Sequence, residues 1–302
     1  MIAQIAKFTT LIGATLLATA CVQHIRNSGT ADLAARADAS DLRLASYNVH
    51  YIILSKATGA WSVADWDRRK GPMDLAFKAI DADVIGFQEM ESFQRGGGDK
   101  NLTLEWLLAQ NPEYSAGAVG PYAKFPSTQP ILFRTDAFDL LDQGWFFFSD
   151  TPDVIYSRTF NGSFPAFASW VKLRNDQGQE FRVLNVHFEF KSSSNRLQSA
   201  QLVAERVAPW IAANETVFLI GDINARAGAE PIEVLEGAGF DFLPIAGSTY
   251  HLNYGLNLFG AIDHIAVAGN AKAQGAPVVL REKFDGEWPS DHYPVIADIT
   301  LD

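Results

Sequence analysis

Val84-Ile85-Gly86-Phe87-Gln88, followed at once by Glu89, is a short apolar run that ends on a carboxylate. Its length, its branched and aromatic side chains and its polar end read as a buried strand that delivers Glu89 at its tip. The same layout recurs in both directions along the chain. Leu42 to Val49 holds Asn48, Phe181 to His187 ends on His187, and Thr216 to Gly221 is followed by Asp222 and Asn224. Ile262 to Val267 carries Asp263, and Asp291-His292 precede the run Val295 to Leu301. Gln129 to Arg134 and Ala168 to Leu173 are further strand candidates.

Helical spacing separates these runs. Asp67 to Ile80 puts Met73, Phe77 and Ile80 on one stripe, Leu102 to Gln110 and Arg196 to Ala212 do likewise, and Pro231 to Glu236 opens on a first-turn proline. Strands alternating with helices over residues 42–302, with no repeat or linker, predict one α/β domain. A polar residue in a turn is ordinarily a cap or turn former. Its repetition at the ends of apolar strands instead predicts one composite site.

The 302 residues are 48% hydrophobic and 20% charged, enough apolar material for a sizeable core. The net charge of −11 argues against attraction of polyanions by the overall field and for sites that gather divalent cations. Arg68-Arg69-Lys70, in a helical stretch, is the dense basic cluster. Trp145-Phe146-Phe147-Phe148 reads as an aromatic strand inside the core in preference to a membrane-inserting segment.

The N-terminus reads as an address. After Lys7, Phe8 to Ala20 is apolar and small, too short to span a bilayer and suited to a signal peptide over residues 1–20. Leu17-Ala18-Thr19-Ala20-Cys21 resembles a bacterial lipoprotein box, although Ala18 stands where such boxes usually have Leu. The resemblance implies lipidation of Cys21, the one cysteine, and Val22 after it favours the outer membrane; a periplasmic or secreted product of ordinary cleavage is the alternative. Residues 21–41, polar and alanine-rich, read as a tether.

Glu89, a hard oxygen donor at a strand end, suits Mg²⁺ or Mn²⁺. Asp222 and Asn224 lie on one side by alternation, where one can orient water and the other can donate to a phosphoryl oxygen. His292 is a base or an electrostatic stabiliser if an acid such as Asp263 fixes its tautomer, and His187 offers a second imidazole. His50 and His264 read as structural. Zinc spacings and nucleotide loops are absent, and Gly96-Gly97-Gly98 reads as a flexible turn.

Ser46-Tyr47-Asn48-Val49-His50, Gly86-Phe87-Gln88-Glu89, Leu184-Asn185-Val186-His187, Gly221-Asp222-Ile223-Asn224, Ala261-Ile262-Asp263-His264-Ile265 and Ser290-Asp291-His292-Tyr293-Pro294 together resemble, in order, the motif series of the endonuclease/exonuclease/phosphatase superfamily. The resemblance implies a deoxyribonuclease I-like four-layer α/β sandwich with two mixed β-sheets. It implies that Glu89 binds the principal metal with Asn48 close by and Asp291 near a second position. It further implies that Asp222 positions water, Asn224 stabilises the transition state, His292 contacts phosphate under the orientation of Asp263, and His187 lies on the leaving-group side. The general base stays open between an imidazole and a carboxylate. Where relatives often carry an arginine, this chain has Pro165-Ala166-Phe167, and Arg158 is the candidate substrate contact.

The expected function is Mg²⁺- or Mn²⁺-dependent hydrolysis of a small or lipid-derived phosphate ester outside the cytoplasm, by a monomer held at a membrane. An extracytoplasmic nonspecific nuclease and a non-catalytic surface binding module are the competing readings.

Overall fold

The computed structural model describes residues 2–28, 33–36, 41–93 and 100–301. The strands are β1 (Leu42–Asn48), β2 (Ile52–Ile53), β3 (Val84–Gln88), β4 (Ser92–Phe93), β5 (Tyr114–Gly117), β6 (Ile131–Arg134), β7 (Phe138–Phe147) and β8 (Phe167–Asn175). They continue with β9 (Glu180–His187), β10 (Thr216–Asp222), β11 (Asp241–Phe242), β12 (Asp263–Ala268), β13 (Ala271–Ala273), β14 (Val278–Val279) and β15 (Val295–Leu301). The helices are α1 (Ile2–Asn27), α2 (Val63–Ile80), α3 (Leu102–Gln110), α4 (Ser193–Ala212) and α5 (Glu230–Gly237).

Two sheets carry the domain. One runs β13-β15-β1-β3-β6-β5 with β14 also on β15, the other β11-β12-β10-β9-β8-β7. Each is mixed, because β1 is parallel to β3 but antiparallel to β15, and β10 is parallel to β9 but antiparallel to β12. Alternation explains why the central strands read as unbroken apolar runs. In β1, Leu44 points into the core between the sheets with Val84, Phe218 and Ile220, while Ala45 and Tyr47 point outward against Met73 and Phe77 of α2. On the far side, Leu219 and Val217 pack against Val203 and Val207 of α4 and Leu235 of α5. The order helix, sheet, sheet, helix is the four-layer sandwich expected.

Two positions show how tightly the sheets meet. A Cβ on Gly86 would lie 2.4 Å from Ile220 Cδ1, so glycine there admits the opposing sheet. Gln88 Nε2 donates to Asn185 Oδ1 at 2.7 Å, and Asn185 Nδ2 donates to the Phe87 carbonyl at 2.8 Å, forming a buried polar bridge between the sheets. Buried amides are kept only when so satisfied.

The aromatic stretch that ends β7 is core at Phe146, Phe147 and the following Phe148, while Trp145 before them is half-buried. α2 begins four residues before the expected start because Ser62 caps it, its Oγ accepting from Asp65 N at 3.1 Å. The expected tether is not wholly separate from the fold. α1 runs on to Asn27, Leu33 packs against the α2 side of the core, and Arg36 pairs with Asp83 at 2.6 Å. The glycine turn at Gly96-Gly97-Gly98 lies outside the described residues.

Candidate active site

Strand register assembles the site. On the second sheet His187, Asp222 and Asp263 stand side by side, Asp222 pairing with His187 across β9 and with Asp263 across β12. On the first sheet Asn48 pairs with Gln88, which places Glu89 just beyond it. The two sets converge because the sheets face each other. Asn48 Nδ2 donates to Glu89 Oε1 at 3.3 Å and to Asp222 Oδ2 at 3.2 Å, while its Oδ1 accepts from His50 N at 3.2 Å. His187 Nε2 lies 3.8 Å from Glu89 Oε1 and 3.7 Å from Asp222 Oδ2.

Asp222 is held rigidly. Its Oδ1 accepts from Asn224 N at 2.9 Å, and its neighbour Gly221 has φ +143°, where a Cβ would sit 1.9 Å from the Val186 carbonyl oxygen. Only glycine allows that approach. Burial, reinforced by Asp263, pushes the Asp222 carboxyl up to about 6 against the pull of His292 and His187. Asn224, at φ 52°, donates Nδ2 to the Phe188 carbonyl at 2.9 Å, lines a neighbouring cleft, and carries a second N–H on the same nitrogen.

His292 Nδ1 is 2.9 Å from Asp263 Oδ2, and its Nε2 is 3.8 Å from Asp222 Oδ2. The Asp263 backbone N–H and that of Ile262 both donate to Thr249 Oγ1, which fixes the strand end. Ser290 Oγ donates to the Asn48 carbonyl at 2.7 Å and accepts from His292 N at 3.3 Å, tying the histidine turn to β1. Burial by itself would lower the His292 pKa, but the charges of Asp263, Asp222 and Asp291 and the Asp263 hydrogen bond raise it to about 10. Asp291 is half-buried on the same turn. Burial would raise its pKa, but His292 and His50 outweigh that and hold it low.

The ligating atoms of Asp222, Asp263 and His292 all lie within 4.8 Å of one another. Asp263 is already committed to His292 Nδ1, so it is better placed as an orienter than as a ligand. Glu89, with Asn48 and Asp222 beside it, offers hard oxygens on the open side, and an Asp222 pushed up by burial and Asp263 marks a field that a cation would relieve. The donor chemistry therefore fits a divalent cation at Glu89.

Arg158 lies exposed on the 148–166 loop, which the β7, β8 and β9 registers put at the His187 end of the sheet. No hydrogen bond or ion pair joins it to another described residue. The basic cluster is neutralised, Arg68 pairing with Asp65 and Glu287 and Lys70 with Asp67. Its middle member has a different task. Arg69, 2% exposed, donates to the carbonyls of Val49 at 2.8 Å, His50 at 2.7 Å and Pro289 at 2.9 Å, clamping the Asn48 and His292 loops together. Sequence reasoning missed this role because nothing in a run of three cations marks the buried one. It also missed Arg196 and Arg226, which line a cleft of about 480 Å³ beside Asn224. Arg196 Nη1 there donates to the carbonyls of Glu189 and Phe190. His264 is structural, its Nε2 2.8 Å from the Ala225 carbonyl, and His50 is buried against Tyr51 and Trp61.

The profile of the Endonuclease/Exonuclease/phosphatase family matches residues 45–292, spanning every one of these site residues. The chain belongs to that family. It is accordingly a phosphoric-ester hydrolase, of a family whose members typically depend on a divalent metal. Solved family structures share its fold. An endonuclease/exonuclease/phosphatase family protein from Bacteroides thetaiotaomicron superposes with TM-score 0.71 at 24% identity, covering 87% of this chain and 98% of that one. A mannosyl-6-phosphatase from Bacteroides thetaiotaomicron VPI-5482 gives TM-score 0.72 at 24% identity, covering 86% and 100%. D. rerio TDP2 complexed with single-strand DNA product gives 0.64 at 16% identity, covering 87% and 100%. A sequence comparison with curated proteins found no significant match.

Proposed function

We propose that this family member hydrolyses a small or lipid-derived phosphate ester outside the cytoplasm, as a monomer anchored through acylated Cys21, with Mg²⁺ or Mn²⁺ at Glu89. The observation that carries the proposal is the His292–Asp263 pair at 2.9 Å, set beside Asp222 where that carboxylate meets Asn48 and Glu89. A bound cation would neutralise charge developing on the phosphoryl oxygens and the leaving group.

The chain's own groups do the rest. Asp222, with a raised pKa, orients the attacking water and accepts a proton from it. His292, charged at neutral pH under Asp263, donates from Nε2 to a phosphoryl oxygen, and the free N–H of Asn224 donates to another. His187, on the far side of Asp222 from Asp263, serves the leaving group. Asp291 flanks a second cation position, and Arg158 reaches the substrate from the loop above.

The small-ester reading is favoured over a nuclease because Arg68 and Lys70 are engaged by acids and the chain is strongly acidic. A mannosyl-6-phosphatase among the similar structures supports it. One feature favours the nuclease: Tyr51 and exposed Trp61 stack at 6.1 Å and 8° near Glu89, a platform on which a base could lie. The test is hydrolysis by the full chain and its His292→Ala variant with Mg²⁺, Mn²⁺ or EDTA. The substrates are a sugar phosphate, a phospholipid headgroup ester, an aryl phosphodiester and supercoiled DNA. Metal-dependent turnover of an ester, lost in the variant, is expected; turnover of DNA alone would install the nuclease.

A further inference from the structure

The residues from Tyr250 to Phe259 form an exposed apolar loop beside the active site. Tyr254 is 78% exposed, and Leu256, Leu258 and Phe259 are each more than a third exposed. The loop is built firmly. Phe259 N donates to Ser248 Oγ at 3.1 Å, Gly255 N donates to His251 Nδ1 at 3.3 Å, and Gly255, at φ +70°, is pressed against Trp288. A firm loop that shows four large apolar side chains to water calls for an apolar partner.

What covers it is indicated by the N-terminal segment. α1 ends on this loop, with Asn27 Nδ2 donating to the Phe259 carbonyl at 3.0 Å and His24 Nδ1 accepting from Asn257 N at 3.1 Å. Back from there, residues 21–23 are exposed, and they are the first residues left once the expected signal peptide over residues 1–20 is removed. No helix among the described residues is long and apolar enough to cross a membrane. Cys21, exposed, stands three residues before His24, about 4.5 Å along the helix. An acyl chain there would enter a bilayer within one helical turn of the loop. Apolar area buried beside a lipid anchor adds to its hold on the membrane. The loop also abuts the chemistry: the Tyr250 ring lies 4.9 Å from His292 and 6.3 Å from Phe259.

We propose that the loop Tyr254–Phe259 docks into a phospholipid bilayer and turns the His292 side of the active site toward the membrane surface, so that the ester hydrolysed is met at the lipid–water boundary. The orientation rests on the acylated Cys21 of the proposed function; the docking itself does not require it.

Because Cys21 is the one cysteine, Leu256→Cys in the mature chain from residue 21, carrying Cys21→Ser, accepts a single environment-sensitive fluorophore. Asp136→Cys, exposed in the β6–β7 turn at the opposite end of the sheets, is the control. Phosphatidylethanolamine/phosphatidylglycerol vesicles should shift the label at 256 to the blue and shield it from an aqueous quencher roughly tenfold, with neither change at 136. Equal responses at both positions, no response at 256, or a shift at 256 that arises without vesicles as the chain dimerises would each overturn the proposal. A chain that docks through 256 yet hydrolyses no small or lipid-derived phosphate ester would remove the proposed substrate class and leave the docking surface standing.

Discussion

Replacing Arg69 with Met should loosen the whole active site from a position that touches no substrate. The guanidinium is 2% exposed and bonds the carbonyls of Val49, His50 and Pro289 besides pairing with Asp65 at 3.2 Å. Each buried carbonyl left without a donor costs about 1–3 kcal/mol, and breaking one partner of a buried ionic arrangement costs about 3–5 kcal/mol in all. Asp65 retains Arg68, and water admitted to the gap recovers part of the loss, so about 4 kcal/mol is the working figure. At about 2–4 °C per kcal/mol for a domain of this size, the unfolding midpoint should fall by roughly 8–16 °C. The folded fraction should also lose roughly 10²-fold in kcat, because Asn48 and His292 sit on the two clamped loops and small misplacements are costly. Arg69→Lys keeps the charge but not the three-way fork, and should fall between the two. Thermal unfolding by circular dichroism and turnover measured well below the variant's midpoint are the assays. A midpoint within about 2 °C of the parent, or a destabilised variant with full turnover, would refute the clamp.

Asp263→Asn should reduce kcat by roughly 10²–10⁴-fold and move the alkaline limb of the pH profile to lower pH, since it removes the main charge opposing the effect of burial on His292. With the folded His292 pKa at about 10, above its ordinary 6.5, the stabilisation from this pair is complete below pH 6.5 and lost as pH rises through about 10; an unshifted limb would sink the pairing. Mg²⁺ at a hundred times its dissociation constant should stabilise the parent by about 2.7 kcal/mol, roughly 5–10 °C, and Glu89→Gln much less. An unchanged metal response in a calorimetric scan would move the cation away from Glu89. Gly221→Ala, with a Cβ 1.9 Å from the Val186 oxygen, should cost more than about 4 kcal/mol or abolish soluble expression; a near-parental urea midpoint would show that the strand end gives way.

Much of the fold could be read in advance because the central strands are buried on both faces, so that runs such as Val84–Gln88 and Thr216–Asp222 carry no alternation to misread. Edge pieces were harder. Tyr114–Gly117 is only four residues long with a half-buried centre, and the first half of β7 is largely exposed, with burial only at its aromatic end. At the site, Asn48, Glu89, His187, Asp222 and Asp263 announce themselves as polar ends of apolar strands, and the structure brings them together. Arg69 and Tyr250 carry no such mark, since their importance comes from neighbours more than 200 and 40 positions away. Arg158 stands at the right end of the sheet but is held to no other described residue.

The Gln88–Asn185 bridge has a consequence for how the protein comes into being. Half of the catalytic set rides on one sheet and half on the other, and the bridge lies just beneath their seam. Neither half holds a water, a cation and a phosphate donor by itself. A chain with one sheet formed and the other still open therefore has no weak activity to leak; it has none. Hydrolysis switches on only when the sheets close, so a chain whose sheets are still apart is harmless to the phosphate esters around it.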